Sequence, residues 1–369
     1  MKERELRGLI DKVKGGRLSR RGFVKRMAAV GLTAPMATQL LAFSGAAMAQ
    51  AKAAPYKPTK RGGGGLLKVL WWQGPTLLNP HFAVGTKDQD GSRLFYEPLA
   101  NWDGDGNLKP VLAASIPNRE DGTIAADGKS VVWKLKRGVT WHDGKPFTAD
   151  DLVFNWEYAK DPATAAVTVA NYKDVIVEKV DDYAVRIKFD KPTPFWANAF
   201  VGTQGMIIPK HLFADYTGAK SREAPTNLKP VGTGPYLFKD FKPGDMVSGV
   251  INPNYHMENR PYFDAIEMKG GGDAVSAARA VLQTGEYDFA WNMQVEDEIL
   301  LRLEKGGKGH CVISPGGNIE HIGLNTTDPW TEVDGERAKL GTKHPTLSDP
   351  AVREALTYLV DKASVEKFI

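Results

Sequence analysis

A single cysteine, Cys311, is all that the 369 residues contain, so no intrachain disulfide and no cysteine metal cluster can be built. A buried structural thiol is the expected reading, since a chain this long covers a large core without staples. The seven histidines are scattered, with no two at the helical or hairpin spacing a zinc site requires, and most are expected at the surface or in turns. Nor is there a Gly-x-Ser-x-Gly elbow. Gly232-Thr233-Gly234 continues into Pro235-Tyr236 without the third glycine of a dinucleotide fingerprint. The acid pairs Asp150-Asp151 and Asp181-Asp182 are adjacent residues that point to different faces, which suits helix capping and turns better than a two-carboxylate hydrolase. No catalytic constellation, metal site or cofactor motif is present. A strong charge of one sign is lacking too: the formal +4 arises because the first 49 residues hold ten Lys or Arg and three acids. The remainder has 38 basic and 41 acidic residues, which excludes a phosphate-tracking nucleic-acid surface.

What is present begins with a leader. Ser19-Arg20-Arg21-Gly22-Phe23-Val24-Lys25 has the twin-arginine export pattern, an Arg pair followed closely by Phe23 and an apolar residue. Residues 27–43 are only mildly apolar, interrupted by Gly31, Thr33, Pro35, Thr38 and Gln39, and lead to Ala47-Met48-Ala49. A membrane helix needs about 20 mostly apolar residues, so the segment reads as a signal peptide over 1–49, cleaved after Ala49. No Cys stands at the cut to carry a lipid, and a free periplasmic protein is expected. Residues 50–65, ending in Gly62-Gly63-Gly64-Gly65, read as a flexible linker; a phosphate-cradling loop fails because no Gly-Lys-Ser/Thr follows.

The mature chain alternates strand and helix. Leu66 to Trp71, then Val131, Trp133 and Leu135, then Val185, Ile187 and Phe189 have strand patterns. Asp143-Gly144 marks a turn after a short strand. Thr148 opens a helix with Asp151 three residues on, and Leu152, Val153 and Trp156 form its apolar stripe. A further helix is predicted from Ala274 to about Gly285, with a strand from Tyr287 to Trp291. Asp349 and Pro350 start a last helix with Val352, Ala355, Leu356, Leu359 and Val360 as a buried stripe. The mixture indicates an α/β architecture with mixed sheets.

Several phrases, in this order along the chain, resemble the family 5 extracellular solute-binding proteins. They include Tyr96-Glu97-Pro98-Leu99, the run from Gly138-Val139-Thr140-Trp141-His142-Asp143-Gly144 to Asp151, and Val231-Gly232-Thr233-Gly234-Pro235-Tyr236. Asn252-Pro253-Asn254-Tyr255, Arg260-Pro261-Tyr262-Phe263-Asp264, Leu282-Gln283-Thr284-Gly285-Glu286-Tyr287-Asp288, His321-Ile322-Gly323-Leu324-Asn325 and Asp349-Pro350-Ala351-Val352-Arg353 continue the series. The resemblance implies a two-lobed periplasmic-binding-protein type II fold whose lobes close over a solute and present it to an ABC importer permease. Lobe I is then expected at 66–108 and 226–318, an inserted subdomain at 109–225, and an incomplete second lobe from 319 to 369. The family's chains continue past Ile369, so a C-terminal truncation is expected, and with it loose folding or aggregation.

A peptide is the leading solute, with nickel chelates, haem, oligosaccharides or opines as alternatives, and an exported enzyme on this fold as the distant one. Met206, Met246, Met257 and Met293 read as packing residues rather than metal or haem ligands. Expected partners are the permease subunits and, during export, the twin-arginine translocase; the protein is expected to be a monomer. Ligand contacts are expected at strand ends and loops: Trp72, Gln73, Leu78, Asn79, Thr203, Gln204, Trp291, Asn292, Gln294, Gly316, Gly317 and Asn318. Aromatic rings offer rigid walls at low entropic cost. Gly316-Gly317 serves either as main-chain contact to an extended peptide or as an ordinary turn.

Overall fold

A computed structural model describes residues 58–291, 295–312 and 321–362, with 364, 365 and isolated positions between 8 and 27. It divides into two compact units, Met1–Cys311 and Val312–Ile369.

In the first unit, β1 (Leu66–Trp71) buries its last three residues and is the second strand of a five-stranded sheet. It runs parallel to β9 (Ala265–Gly270) and to the short β10 (Phe289–Ala290). The sheet is completed by the antiparallel pair β7 (Tyr236–Lys242) and β8 (Met246–Ile251), so its order is β10-β1-β9-β8-β7. Parallel partners need a long crossover. Most of the chain between β1 and β7 supplies one, and it contains α1 (Gly85–Arg93), the hairpin β2 (Ala100–Trp102) with β3 (Leu108–Pro110), and a second sheet.

That second sheet is an antiparallel set in the order β4-β6-β5, formed by β4 (Ser130–Lys134), β5 (Val175–Asp181) and β6 (Ala184–Phe189). Val131 faces Ile187 and Trp133 faces Val185, all four fully buried, which is the inward set of the predicted alternation. Helix α2 (Ala149–Lys160) packs on this sheet. Its start is fixed as the sequence suggests: the Asp151 carboxylate reaches back to the Thr148 N–H at 3.0 Å. The same carboxylate accepts from the Lys210 N–H at 3.0 Å, which ties in the single-turn α3 (Lys210–Phe213). Asp143-Gly144 forms the expected turn, with Gly144 at φ 85°. One continuous core runs from β1 and β9 through Phe95, Trp141 and Tyr158 to Trp133, so residues 66–108 and 109–225 share their interior.

Helices α4 (Ala274–Leu282) and α5 (Asp297–Glu304) form a smaller cluster around Ala278, Leu282 and Leu303. Cys311 packs at its rim half-buried rather than fully buried, and burial pushes its thiol pKa up. The second unit holds α6 (Pro350–Leu359), capped by the Asp349 side chain on the Ala351 N–H at 2.8 Å. Its expected stripe is only partly covered: Val352 and Leu356 are half-buried, Leu359 is 78% exposed, and no residue of α6 is fully buried.

One other expectation is corrected. The four glycines are not a free linker: Asp264 receives the Gly63 and Gly65 N–H groups, each at 2.8 Å, and Gly62 donates to Pro261. The adjacent Arg61 guanidinium donates to the carbonyls of Pro253, Tyr255, Met257 and Arg260. Most histidines lie at the surface or in turns as expected, His211, His310 and His321 being exposed and His142 in a turn, but three of the seven have internal partners. His81 is fully buried between Thr168 Oγ1 at 2.8 Å and Asn155 Oδ1 at 2.9 Å, and burial lowers its pKa to about 4. His142 is held between the Gly232 N–H and the Gly234 carbonyl, and His256 is buried against Glu97.

Candidate functional site

In open sheets ligands settle outside the carboxyl ends of parallel strands. Here β1, β9 and β10 present that edge, and its residues are Trp71, Trp72, Gln73 and Trp291. Trp71 and Trp291 stack with ring centroids 6.1 Å apart and planes at 14°. The Trp291 N–H donates to the Leu70 carbonyl at 3.0 Å, so the second ring is placed by the sheet itself. Trp72 is 51% exposed and Gln73 is also exposed, beside this aromatic pair.

The segment from Gly74 to Val84 is fixed from within. A side chain at Gly74 would strike the Gly244 backbone at 2.6 Å, so glycine permits the close approach there. The buried Asp88 carboxylate accepts from the Thr76 N–H at 2.6 Å and from the Val84 N–H at 3.2 Å, with Lys87 Nζ at 2.8 Å. Leu78 and Asn79 have no exposed surface. Asn79 caps the turn Pro80–Phe82 and donates to Asn227 Oδ1 at 2.8 Å. These two residues therefore hold the loop and do not present side chains to a solute.

Thr203 and Gln204 fall elsewhere in the same unit, on a single turn, Thr203–Gly205, packed against α1. They line an open cavity of about 470 Å³ together with Arg93, Asn101, Trp102 and Asn198. Asn171 also lines it and donates to Gln204 Oε1 at 3.2 Å. The turn is tightly built: a Cβ at Gly205 would lie 2.3 Å from the Phe200 carbonyl carbon. Trp102, 56% exposed at the end of β2, gives the cavity an aromatic wall.

A short relay joins the two places. Trp71 Nε1 donates to Asp90 Oδ2 at 3.2 Å, and Arg93 Nη1 meets Asp90 Oδ1 at 3.2 Å. Burial pushes the Asp90 carboxyl above its ordinary value, opposed by Arg93 and by the Trp71 hydrogen bond. Arg93 is the charged residue of the cavity lining, which holds no carboxylate and several amides. Such a lining suits polar and anionic groups of a solute, with Trp102 for an apolar part.

Sequence reasoning found Trp72, Gln73, Trp291, Thr203 and Gln204 in these two places, but missed Arg93, Asn101, Trp102, Asn171 and Asn198. The Asp90 and Arg93 pair, three apart on a helix, was the one available signal. Asn292, Gln294, Gly316, Gly317 and Asn318 lie outside the described residues, as do Arg20 and Arg21; Phe23 is described and buried. No group of three His, Cys, Asp or Glu that could hold a metal occurs among the described residues.

Comparison with known proteins adds the following. The family described as bacterial extracellular solute-binding proteins, family 5 middle, matches residues 107–369. The oligopeptide-binding protein AppA of Bacillus subtilis is 33% identical over 294 residues, covering 79% of this chain and 49% of that protein. The glutathione-binding protein GsiB of Shigella boydii is 29% identical, covering 79% of this chain and 51% of its own length. The chain thus spans about half the length of the curated relatives it matches. Among solved structures, AppA with a nonapeptide aligns at a TM-score of 0.55 and 32% identity over 63% of this chain and 44% of that one. NikZ of Campylobacter jejuni with Ni(L-His) aligns at 0.60 and 27% identity over 82% of this chain and 54% of its own.

Proposed function

This chain belongs to the bacterial extracellular solute-binding proteins of family 5 and has their type II periplasmic-binding-protein fold, and on that premise we propose that it captures a short peptide. The captured peptide is passed to the permease of an ATP-binding-cassette importer, and the protein performs no chemistry on it. The observation that carries this reading is the aromatic and amide surface described above. The Trp71–Trp291 stack at the carboxyl edge is linked through Asp90 to the Arg93 cavity. A peptide has amide groups to match Asn101, Asn171, Asn198 and Gln204, and a carboxylate to match Arg93. AppA and GsiB are named for oligopeptide and glutathione binding, which supports the same solute class.

In this reading residues 66–108 and 226–318 form lobe I, 109–225 its inserted subdomain, and 319–369 the start of lobe II. Asn292, Gln294, Gly316, Gly317 and Asn318 are further proposed solute contacts on the strength of the sequence. Export runs through the twin-arginine translocase, guided by Arg20, Arg21 and Phe23, with cleavage after Ala49, and the protein works as a periplasmic monomer. A metal chelate of an amino acid is the second reading. It is favoured by the likeness to NikZ and by an Arg93 positioned to take the chelate's carboxylate rather than the metal.

The test is a thermal melt of residues 50–369 with and without a mixture of di- to hexapeptides. A ligand at 100 times its dissociation constant adds about 2.7 kcal/mol of folded-state stability, a shift of several degrees. A cooperative melt that peptides leave unmoved, and that nickel with histidine raises, would replace the first reading by the second.

A further inference from the structure

Away from the Arg93 cavity, a second and larger opening of about 670 Å³ lies where the segment after β4 meets the β5–β6 turn. Lys134, Lys136 and Arg137 line it together, with Asp181, Tyr183 and His256. Three cations within four residues are held there by the backbone. The Leu135 N–H donates to the Tyr183 carbonyl at 2.8 Å and the Lys136 N–H to the Leu112 carbonyl at 2.9 Å. The Arg137 guanidinium lies 4.4 Å over the Tyr183 ring, which fixes its plane and leaves its edge to donate.

The charges are poorly answered by the protein. Asp181 is the one carboxylate in the lining, and its Oδ1 already accepts from the Tyr183 N–H at 2.7 Å. Lys134 acts electrostatically on Asp121. Lys136 is half-buried, and burial holds its ammonium below the ordinary value, with the Glu97 charge opposing. Glu97 is itself saturated by Tyr255, Thr233 and His256 at 2.6, 3.0 and 2.9 Å. The His256 side chain is 7% exposed, and with Nε2 committed to Glu97 its Nδ1 is enclosed without any partner.

We propose that this opening is a second binding site, separate from the solute surface, for a small polyvalent oxyanion carrying phosphate or carboxylate groups. Lys136 and Arg137 supply the main donors, and Lys134 adds charge at the rim. The Tyr183 ring bounds the site on its apolar side.

The test titrates inorganic phosphate into the whole chain by calorimetry at constant ionic strength set with chloride. The His256 ring resonances are followed by NMR. Saturable one-to-one binding that moves His256 is expected, weakened about tenfold or more in Lys136→Gln/Arg137→Gln. Lys239→Gln and Arg93→Gln are expected to leave it unchanged. If the double variant melts abnormally, Arg137→Leu, which keeps an apolar contact on Tyr183, is expected to show a smaller loss in the same direction. Cosedimentation with phosphatidylglycerol vesicles but not phosphatidylcholine, lost in the same variants, assigns the phosphate to a lipid headgroup; phosphate binding without cosedimentation assigns it to a free anion. Absence of saturable phosphate binding, affinities within threefold in the double variant, or loss in Arg93→Gln instead would overturn the proposal.

Discussion

Replacing Asp88 by Ala perturbs the proposed solute surface from below. The carboxylate is 1% exposed, and it ties the Thr76 N–H and hydroxyl, the Val84 N–H and Lys87 Nζ into one point. Those bonds set the path from Gly74 to Val84, between the exposed pair Trp72-Gln73 and helix α1. Hydrogen bonds to a charged group are worth about 1.5–3 kcal/mol each when buried. Thr76 and Val84 are exposed residues, however, and water replaces part of what they lose. A loss of about 2–3 kcal/mol in unfolding free energy is therefore expected, short of the sum of the separate bonds. Asp88→Asn keeps the shape but brings an amide N–H toward donors, and is expected to recover less than half of it. Urea denaturation followed by tryptophan fluorescence reads the effect, and peptide affinity read on the same samples is expected to fall with it. A loss below about 1 kcal/mol for Asp88→Ala would refute the view that this carboxylate organises the loop.

Other outcomes follow from the same geometry. His81 stays neutral in the fold down to a pKa of about 4, whereas the unfolded chain takes up a proton near 6.5. Between those values the unfolded state binds more protons, so stability falls as pH drops from 6.5 to 4, by about 3 kcal/mol in all. Urea melts across that range should show the slope, and His81→Gln should flatten it. Gly205→Ala drives a methyl into the Phe200 backbone and is expected to cost several kcal/mol, on the order of other overpacked cores; calorimetry against Gly104→Ala, where nothing stands within 4 Å, checks it. Asp264→Ala releases the glycine run, and limited proteolysis is expected to cut at 60–65 in the variant and not in the parent. Arg20→Lys together with Arg21→Lys should stop export, read as retention of uncleaved precursor.

The sequence was most informative where a signal and its partner are close along the chain. Thr148 and Asp151, Asp143 and Gly144, and Asp349 and Pro350 act within a few residues of each other, and all appear in the expected turns and caps. The glycine run was misread because its anchor, Asp264, stands some two hundred residues away. The burial of His81 was not legible for the same reason, since Asn155 and Thr168 are what make a buried imidazole tolerable. Asn79 offered the opposite error: it was expected as a ligand contact at a strand end or loop, yet it is consumed by the Pro80–Phe82 cap and Asn227. The stripe on α6 had the right period for a buried face, but periodicity does not supply the element that covers it. At the proposed solute surface, Trp72 and Gln73 were legible as residues after a strand. Asn101, Trp102 and Asn198 come together only through the pairing of Ala100 with Val201.

The most direct test of solute capture at this surface is a peptide-dependent melt of the parent chain beside Gln204→Trp, whose indole would fill the cavity lined by Arg93, Trp102 and Asn198. The account predicts that the peptide mixture raises the parent's midpoint by several degrees and leaves the variant's nearly unmoved. An equal rise in both would contradict it, because peptide would then be held somewhere other than the Arg93 cavity.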